Sequence, residues 1–136
     1  MIDTAMILAA GFGTRMRPIT EHTPKPLIPL CGRALLDHGI DRLVAVGVKR
    51  VVVNTHYKAP MMEEHLKQRH DIEIVLSHEE TLLDTGGGVK NALRHLGDAF
   101  YVMNADVFWL NGRIPALTRL ARAWDPAQLD ALSPLR

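Results

Sequence analysis

The chain has 136 residues, 47% of them hydrophobic, with sixteen Lys and Arg set against fifteen Asp and Glu for a formal charge of +1. That is the length of one ordinary domain with enough apolar content for a packed core, and it excludes the overall basic field that draws a domain to nucleic acid or an anionic membrane. A lone cysteine, Cys31, excludes an internal disulfide, and the opening residues hold an apolar run too short for a secretory signal and lack a basic leader, so the cytoplasm is the expected compartment.

The first predicted element is a strand over 4–10, an unbroken apolar run stopped by Gly11 and therefore expected to be buried on both faces. A glycine- and proline-rich stretch follows. Leu35, Leu36, Ile40, Leu43 and Val44 then recur at helical spacing, with Gly47 where a helix C-terminus favours glycine. β-Branched runs over 49–55 and 72–77 read as strands, and between them Met61, Met62, His65 and Leu66 can share a helical face. Val89, Ala92, Leu93 and Leu96 form another stripe after Gly86–Gly88; the segment 99–106 reads as a buried strand ending in Asp106; Ile114, Leu117, Leu120, Ala121 and Trp124 form a last helix. Strands and helices that alternate this regularly predict an α/β, three-layer, Rossmann-like domain with a mostly parallel central sheet, because parallel neighbours need crossovers. Ligands of such sheets bind beyond the carboxyl ends of the strands, which directs attention to the loops 11–30, 77–88 and 104–112.

In the first loop, Gly11 and Gly13 let the backbone turn sharply and aim successive N–H groups at an anion, and Arg15 and Arg17 add permanent charge suited to phosphate. The pattern is neither a Walker A loop nor the dinucleotide fingerprint, since Met16 stands where the third glycine belongs. Asn54 and Thr55, where a nicotinamide-dependent dehydrogenase would carry an acidic residue, argue against that class too. Thr23 and Lys25 each precede a proline and are expected to be extended, which puts Lys25 on a stiff, non-helical arm suited to meeting charge at a set place. The ordinary alternative is a surface loop with a solvated lysine. In the second loop the three glycines would let a ligand lie on the backbone ahead of a helix starting near Gly88 and capped by Asp84 or Thr85; the alternative is a mobile turn. Of the seven histidines, His65 and His70 are five apart, off the one-face spacing of a helical metal pair, and Trp109 and Trp124 fit packing roles rather than a stacking ladder.

The segment MILAAGFGTRMRPITEHTPKPLIPLCGRALLDH, with LLDTGGGVKNAL and NADVFW following in order, resembles the sugar-1-phosphate nucleotidylyltransferases from about Thr4 to about Leu132. Within that family the similarity is greatest to enzymes joining N-acetylmuramate 1-phosphate to UTP, and next to those joining mannose 1-phosphate to GTP. The resemblance implies that Ala10, Gly11, Phe12, Gly13 and Thr14 wrap a nucleoside triphosphate, that Arg15 and Lys25 contact its phosphates as catalytic charges, that Glu79 and Gly87 lie beside the nucleotide, and that Asp106 ligates Mg²⁺. Ala105 departs from the glycine that many relatives have. The implied partners are a nucleoside triphosphate and a sugar 1-phosphate, with neither nucleic acid nor membrane.

The family's catalytic domain continues for about as long again, with the acceptor wall and a second metal aspartate, and residues 133–136 break from the apolar strand expected there. The expectation is thus the N-terminal, nucleotide-binding part of one nucleotidyltransferase domain over 1–136, inactive alone and with a sheet edge that a second copy could cover. A nucleotide-binding module without turnover is the rival reading.

Overall fold

The computed structural model describes residues 1–134. Strand β1 (Thr4–Leu8) leads into a long loop holding one-turn 3₁₀ segments, then a short antiparallel hairpin of β2 (Pro29–Leu30) and β3 (Arg33–Ala34) and helix α1 (Leu35–Ala45). Strand β4 (Arg50–Thr55), helix α2 (Ala59–Leu66), strand β5 (Glu73–His78), helix α3 (Thr85–Ala92), strand β6 (Tyr101–Asn104) and helix α4 (Ala116–Ala123) follow. The main sheet has the order β5-β4-β1-β6 with every pair parallel; Met6 lies opposite Val52 on one side and Val102 on the other.

This order explains the layers. From β1 the chain steps outward to β4 and β5, then returns to place β6 on the far side of β1. Right-handed crossovers in one direction put α1 and α2 on one face, and the reversal puts α3 on the other. The two cores reflect this split. Ala5 and Ile7 of β1 join Val51, Val53, Leu36, Ile40, Leu43, Met62 and Leu117, while Met6, in between, joins Val52 and Ala92. Alternate residues of one strand therefore feed opposite layers, which is why β1 reads as an unbroken apolar run. The sequence-based expectation of an α/β Rossmann-like fold is met, and β1 is buried on both faces. Gly47 follows α1 with φ 88°, and the Val48 N–H returns to Leu43 O at 3.1 Å.

Three details depart from expectation. β6 covers only Tyr101–Asn104 and is not buried throughout: Tyr101 is buried but Val102 and Asn104 are exposed, because β6 is an edge strand with one face partly open. Met61 and Leu93 point outward rather than joining their helical stripes, and Ile114 precedes α4, which starts after Pro115. The break expected over 133–136 falls partly on Leu135 and Arg136, outside the described residues. Among the described residues no helix is long and apolar enough to cross a membrane.

Candidate active site

The strand order reverses at β1, so a crevice opens beyond the carboxyl ends of β1 and β6. It holds a cleft of about 300 Å³ lined by Leu8, Ala9, Gly11, Gly13, Thr14, Arg15, Lys25 and Pro26 on one side and Asn104, Ala105 and Asp106 on the other. Ala9 and Ala10 are buried where β1 ends, and the Ala9 N–H donates to Asn54 Oδ1 of β4 at 2.6 Å, which anchors the start of the loop.

Gly13 adopts φ 64°, ψ 31° at the head of the turn Thr14–Met16. A side chain there would be doubly penalised: the backbone is left-handed, and a Cβ would lie 2.8 Å from Thr20 Cγ2. Gly11 is different, since a Cβ would meet nothing within 4 Å. Arg15 is exposed on the cleft wall and forms no ion pair among the described residues. Arg17 is not part of that wall. The Phe12 ring does not line this cleft either, packing on His56 and Tyr57 with centroids 5.4 Å from each.

Lys25 is not on an extended arm as its two flanking prolines suggest. It opens a single 3₁₀ turn, Lys25–Leu27, closed by Leu27 N–H to Pro24 O at 2.9 Å and Ile28 N–H to Lys25 O at 3.1 Å. Pro24 itself is extended, and Pro26 sits early in the turn, where a missing N–H breaks no helical bond. Pro24 and Pro26 are both buried on either side of Lys25. The Lys25 ammonium donates to Asp106 Oδ2 at 2.6 Å, joining two loops 81 residues apart. Asp106 lies two residues beyond β6 and is exposed.

The second loop does not line this cleft. Its three glycines are no mobile turn: Thr85 already opens α3, so Gly86–Gly88 form the helix's first turn, with Asp84 at the N-cap position but making no side-chain cap. The close approach is at Gly88, where a Cβ would stand 3.0 Å from Asn54 Nδ2 and 3.2 Å from Glu79 Oε1. Gly87, expected beside the nucleotide, is half-buried, and a Cβ there would meet the Leu83 side chain at 3.2 Å. Glu79 is only 3% exposed, and its carboxylate takes long bonds from Asn54 Nδ2 at 3.4 and 3.5 Å, while the Glu79 carbonyl lies 2.7 Å from His56 Nδ1. Asn54 thus ties the end of β1 to Glu79 and the head of α3. Sequence reading used Asn54 only to argue against a dehydrogenase; the available signal was a polar residue closing a β-branched run.

Asp106 offers a hard oxygen at the cleft rim, and among the described residues no three His, Cys, Asp or Glu side chains gather into a metal cage. That donor set fits Mg²⁺, which is commonly held by one or two carboxylates with phosphate and water completing the shell, and does not fit a closed structural metal.

Residues 4–129 match the nucleotidyl transferase family. The chain is 47% identical over 132 residues to N-acetylmuramate alpha-1-phosphate uridylyltransferase of Caulobacter vibrioides, covering 93% of this chain and 54% of that protein. It is 42% identical over 108 residues to mannose-1-phosphate guanyltransferase of Hypocrea jecorina, covering 75% of this chain and 30% of that one. The crystal structure of UDP-glucose pyrophosphorylase complexed with UDP-glucose matches with TM-score 0.76 over 90% of this chain and 54% of the other; at 19% identity this likeness shows the fold alone. The chain spans about half the length of the first relative and less of the second. With a parallel sheet that opens its cleft at the β1/β6 switch point and a family match running through nearly the whole sequence, the chain belongs to the nucleotidyl transferase family.

Proposed function

We propose that this chain carries the nucleotide-handling part of a sugar-1-phosphate nucleotidyltransferase, with UTP and N-acetylmuramate 1-phosphate as substrates. The observation that carries the reading is the convergence of Arg15, Lys25 and Asp106 on one cleft beside a glycine loop held in a left-handed turn. The greater identity to the uridylyltransferase than to the guanyltransferase favours UTP over GTP.

In this reaction an oxygen of the sugar 1-phosphate attacks the α-phosphorus of the nucleoside triphosphate in line. A new P–O bond forms, the bond from the α-phosphorus to its bridging oxygen breaks, and pyrophosphate leaves with the electron pair. Two polyanions must meet, so positioning and charge neutralisation carry the chemistry, and no protein nucleophile is needed. Arg15 suits two-pronged contact with phosphate oxygens, and Lys25 supplies a point charge on a buried, proline-anchored turn. Asp106 is the residue that would hold Mg²⁺, whose contribution when bound is further neutralisation of the phosphates. Ala10, Gly11, Phe12, Gly13 and Thr14 offer backbone groups to the phosphates, and Glu79 and Gly87 belong beside the nucleoside. No residue of the chain is assigned to the acceptor, in keeping with its spanning 54% of the uridylyltransferase relative.

Titration calorimetry of the chain with each of the four nucleoside triphosphates and Mg²⁺ tests the reading. Binding of UTP ahead of GTP is the expected result, and failure to bind any of the four would overturn it. GTP ahead of UTP would instead favour the mannose 1-phosphate alternative.

A further inference from the structure

The glycine loop that this reading assigns to phosphate is held from behind by residues that do not line the cleft. Thr20 is 1% exposed, and its hydroxyl donates to Gly13 O at 2.6 Å. The same carbonyl accepts the Met16 N–H at 3.1 Å, so the turn's own bond and the Thr20 bond share one oxygen. The Thr20 methyl meanwhile fills the space where a Gly13 Cβ would stand. Thr20 is held in turn by Tyr57, two residues beyond β4, whose hydroxyl donates to Thr20 O at 2.6 Å. Tyr57 also reaches the loop's other end, with its N–H 3.5 Å from Ala10 O and its ring 5.4 Å from that of Phe12. One tyrosine therefore touches the loop on both sides of its left-handed turn, at Ala10 and Phe12 before Gly13 and at Thr20 after it.

A glycine at such a turn has many competing conformations, and a ligand that must first order the loop binds more weakly for it. We infer that Thr20 and Tyr57 are positioning residues that pre-form the Gly13 turn for phosphate. The inference rests on the proposed nucleotide function for its consequence, though the loop's rigidity can be measured without any ligand. Neither side chain lines the cleft that holds Arg15, Lys25 and Asp106, so their loss is expected to act on phosphate through the shape of the glycine loop. The signature is a loss of affinity that does not discriminate between bases.

The test compares the parent chain with Thr20→Val, which keeps the branched shape without the hydroxyl, Thr20→Ser, which keeps the hydroxyl, and Tyr57→Phe. MgUTP and MgGTP are titrated into each, and amide exchange at Met16 and Arg17, whose N–H groups bond Gly13 O and Thr14 O, is followed in nucleotide-free protein. Thr20→Val should weaken both nucleotides by a common factor of about ten, the scale of one lost hydrogen bond, and speed both exchanges comparably. Thr20→Ser should stay within about twofold of the parent, and Tyr57→Phe should fall between. A merely structural role would lower the melting temperature and leave affinity untouched. Parental affinity in Thr20→Val, or a loss confined to one base, overturns the clamp. If the parent chain binds neither nucleotide, the proposed function fails and exchange alone decides: faster exchange in Thr20→Val but not Thr20→Ser supports the clamp, and equal exchange in all overturns it.

Discussion

Two clusters of charge in this molecule use the same side-chain types to opposite ends. At the cleft, Lys25 and Asp106 make one contact of 2.6 Å, with 30% and 39% of their side chains exposed. On the outer face of α1 and α2, Arg69 is 10% exposed and reaches Asp37 at 3.1 Å, Asp41 at 2.8 Å and Asp71 at 2.8 Å, while His65 Nε2 lies 2.6 Å from Asp37. Burial alone would lower the Arg69 pKa, but the hydrogen bonds it donates to Asp71, Asp41 and Asp37 more than offset this and raise it. The difference is one of commitment. A single half-open pair contributes about 0 to 1 kcal/mol and is easily exchanged for other partners. A fork that satisfies three carboxylates at once ties the segment after α2 to α1 and has little to gain from a ligand. Charges available for chemistry are the weakly held ones.

The strongest way to break this contrast is to remove Lys25. Wherever nucleotidyl transfer by this protein is measured, Lys25→Ala should lower its rate by about 100-fold or more, the scale of losing a preorganised charge at the reacting phosphate. The melting temperature should stay put. Parental pyrophosphate release in the variant would make Lys25 an ordinary surface residue. Removing Arg69 should do the reverse. Arg69→Met leaves Asp37, with 12% of its side chain exposed, without a guanidinium partner. A stability loss of about 2 kcal/mol is expected, below the full cost of orphaning a buried charge because Asp41 and Asp71 are half open. Thermal melts would show it as a midpoint lower by roughly 6 to 10 °C, with nucleotide affinity preserved. Loss of nucleotide binding without loss of stability would contradict the division drawn here.

Asp106 sharpens the comparison from the acidic side. Asp106→Asn should shift folding stability by no more than about 0.5 kcal/mol, as expected of an exposed pair. The gain in nucleotide affinity on adding Mg²⁺ should largely disappear, because a neutral amide is a poor ligand for a hard cation. An unchanged magnesium dependence in calorimetry would remove Asp106 from the metal site.

How far these roles were legible depended on whether they follow from local chemistry. The doubly buried β1 was readable because its apolar residues run without alternation, and the loops 11–30 and 104–112 were readable as strand ends, but the pairing of β1 with β6 that brings them together is a long-range choice with no local sign. Lys25 was expected on an extended arm, but the preference of pre-proline residues for extended backbone gave way to a 3₁₀ turn in which Pro24 and Pro26 are buried. The Lys25–Asp106 contact spans 81 residues and leaves no local trace. Arg15 and Arg17 looked equivalent in sequence, yet only Arg15 lines the cleft, since the turn Thr14–Met16 separates them. The Gly86–Gly88 run read as a loop ahead of a helix starting near Gly88; the helix starts at Thr85 instead, and of the three glycines only Gly88 packs closely on Asn54 and Glu79.

The smallest expected effect isolates one arm of the Arg69 fork. The hydrogen bond from Arg69 holds the Asp71 carboxyl below its ordinary value, against an opposing push from burial. A carboxyl whose pKa is lowered in the folded state adds stability that is fully present above its unfolded value, near 4, and fades as pH falls through the folded value. The Asp71 side chain is 49% exposed, so solvent screening limits the contribution to about 0.5 kcal/mol. Asp71→Asn should therefore cost that much at pH 7 and nothing measurable near pH 2, which makes its loss of stability on acidification shallower than the parent's. Urea titrations at intervals between pH 7 and pH 2 would resolve the difference in slope. A constant offset between parent and variant across the whole range would mean that Asp71 acts by packing or turn geometry, and that Arg69 is held by Asp37 and Asp41 alone.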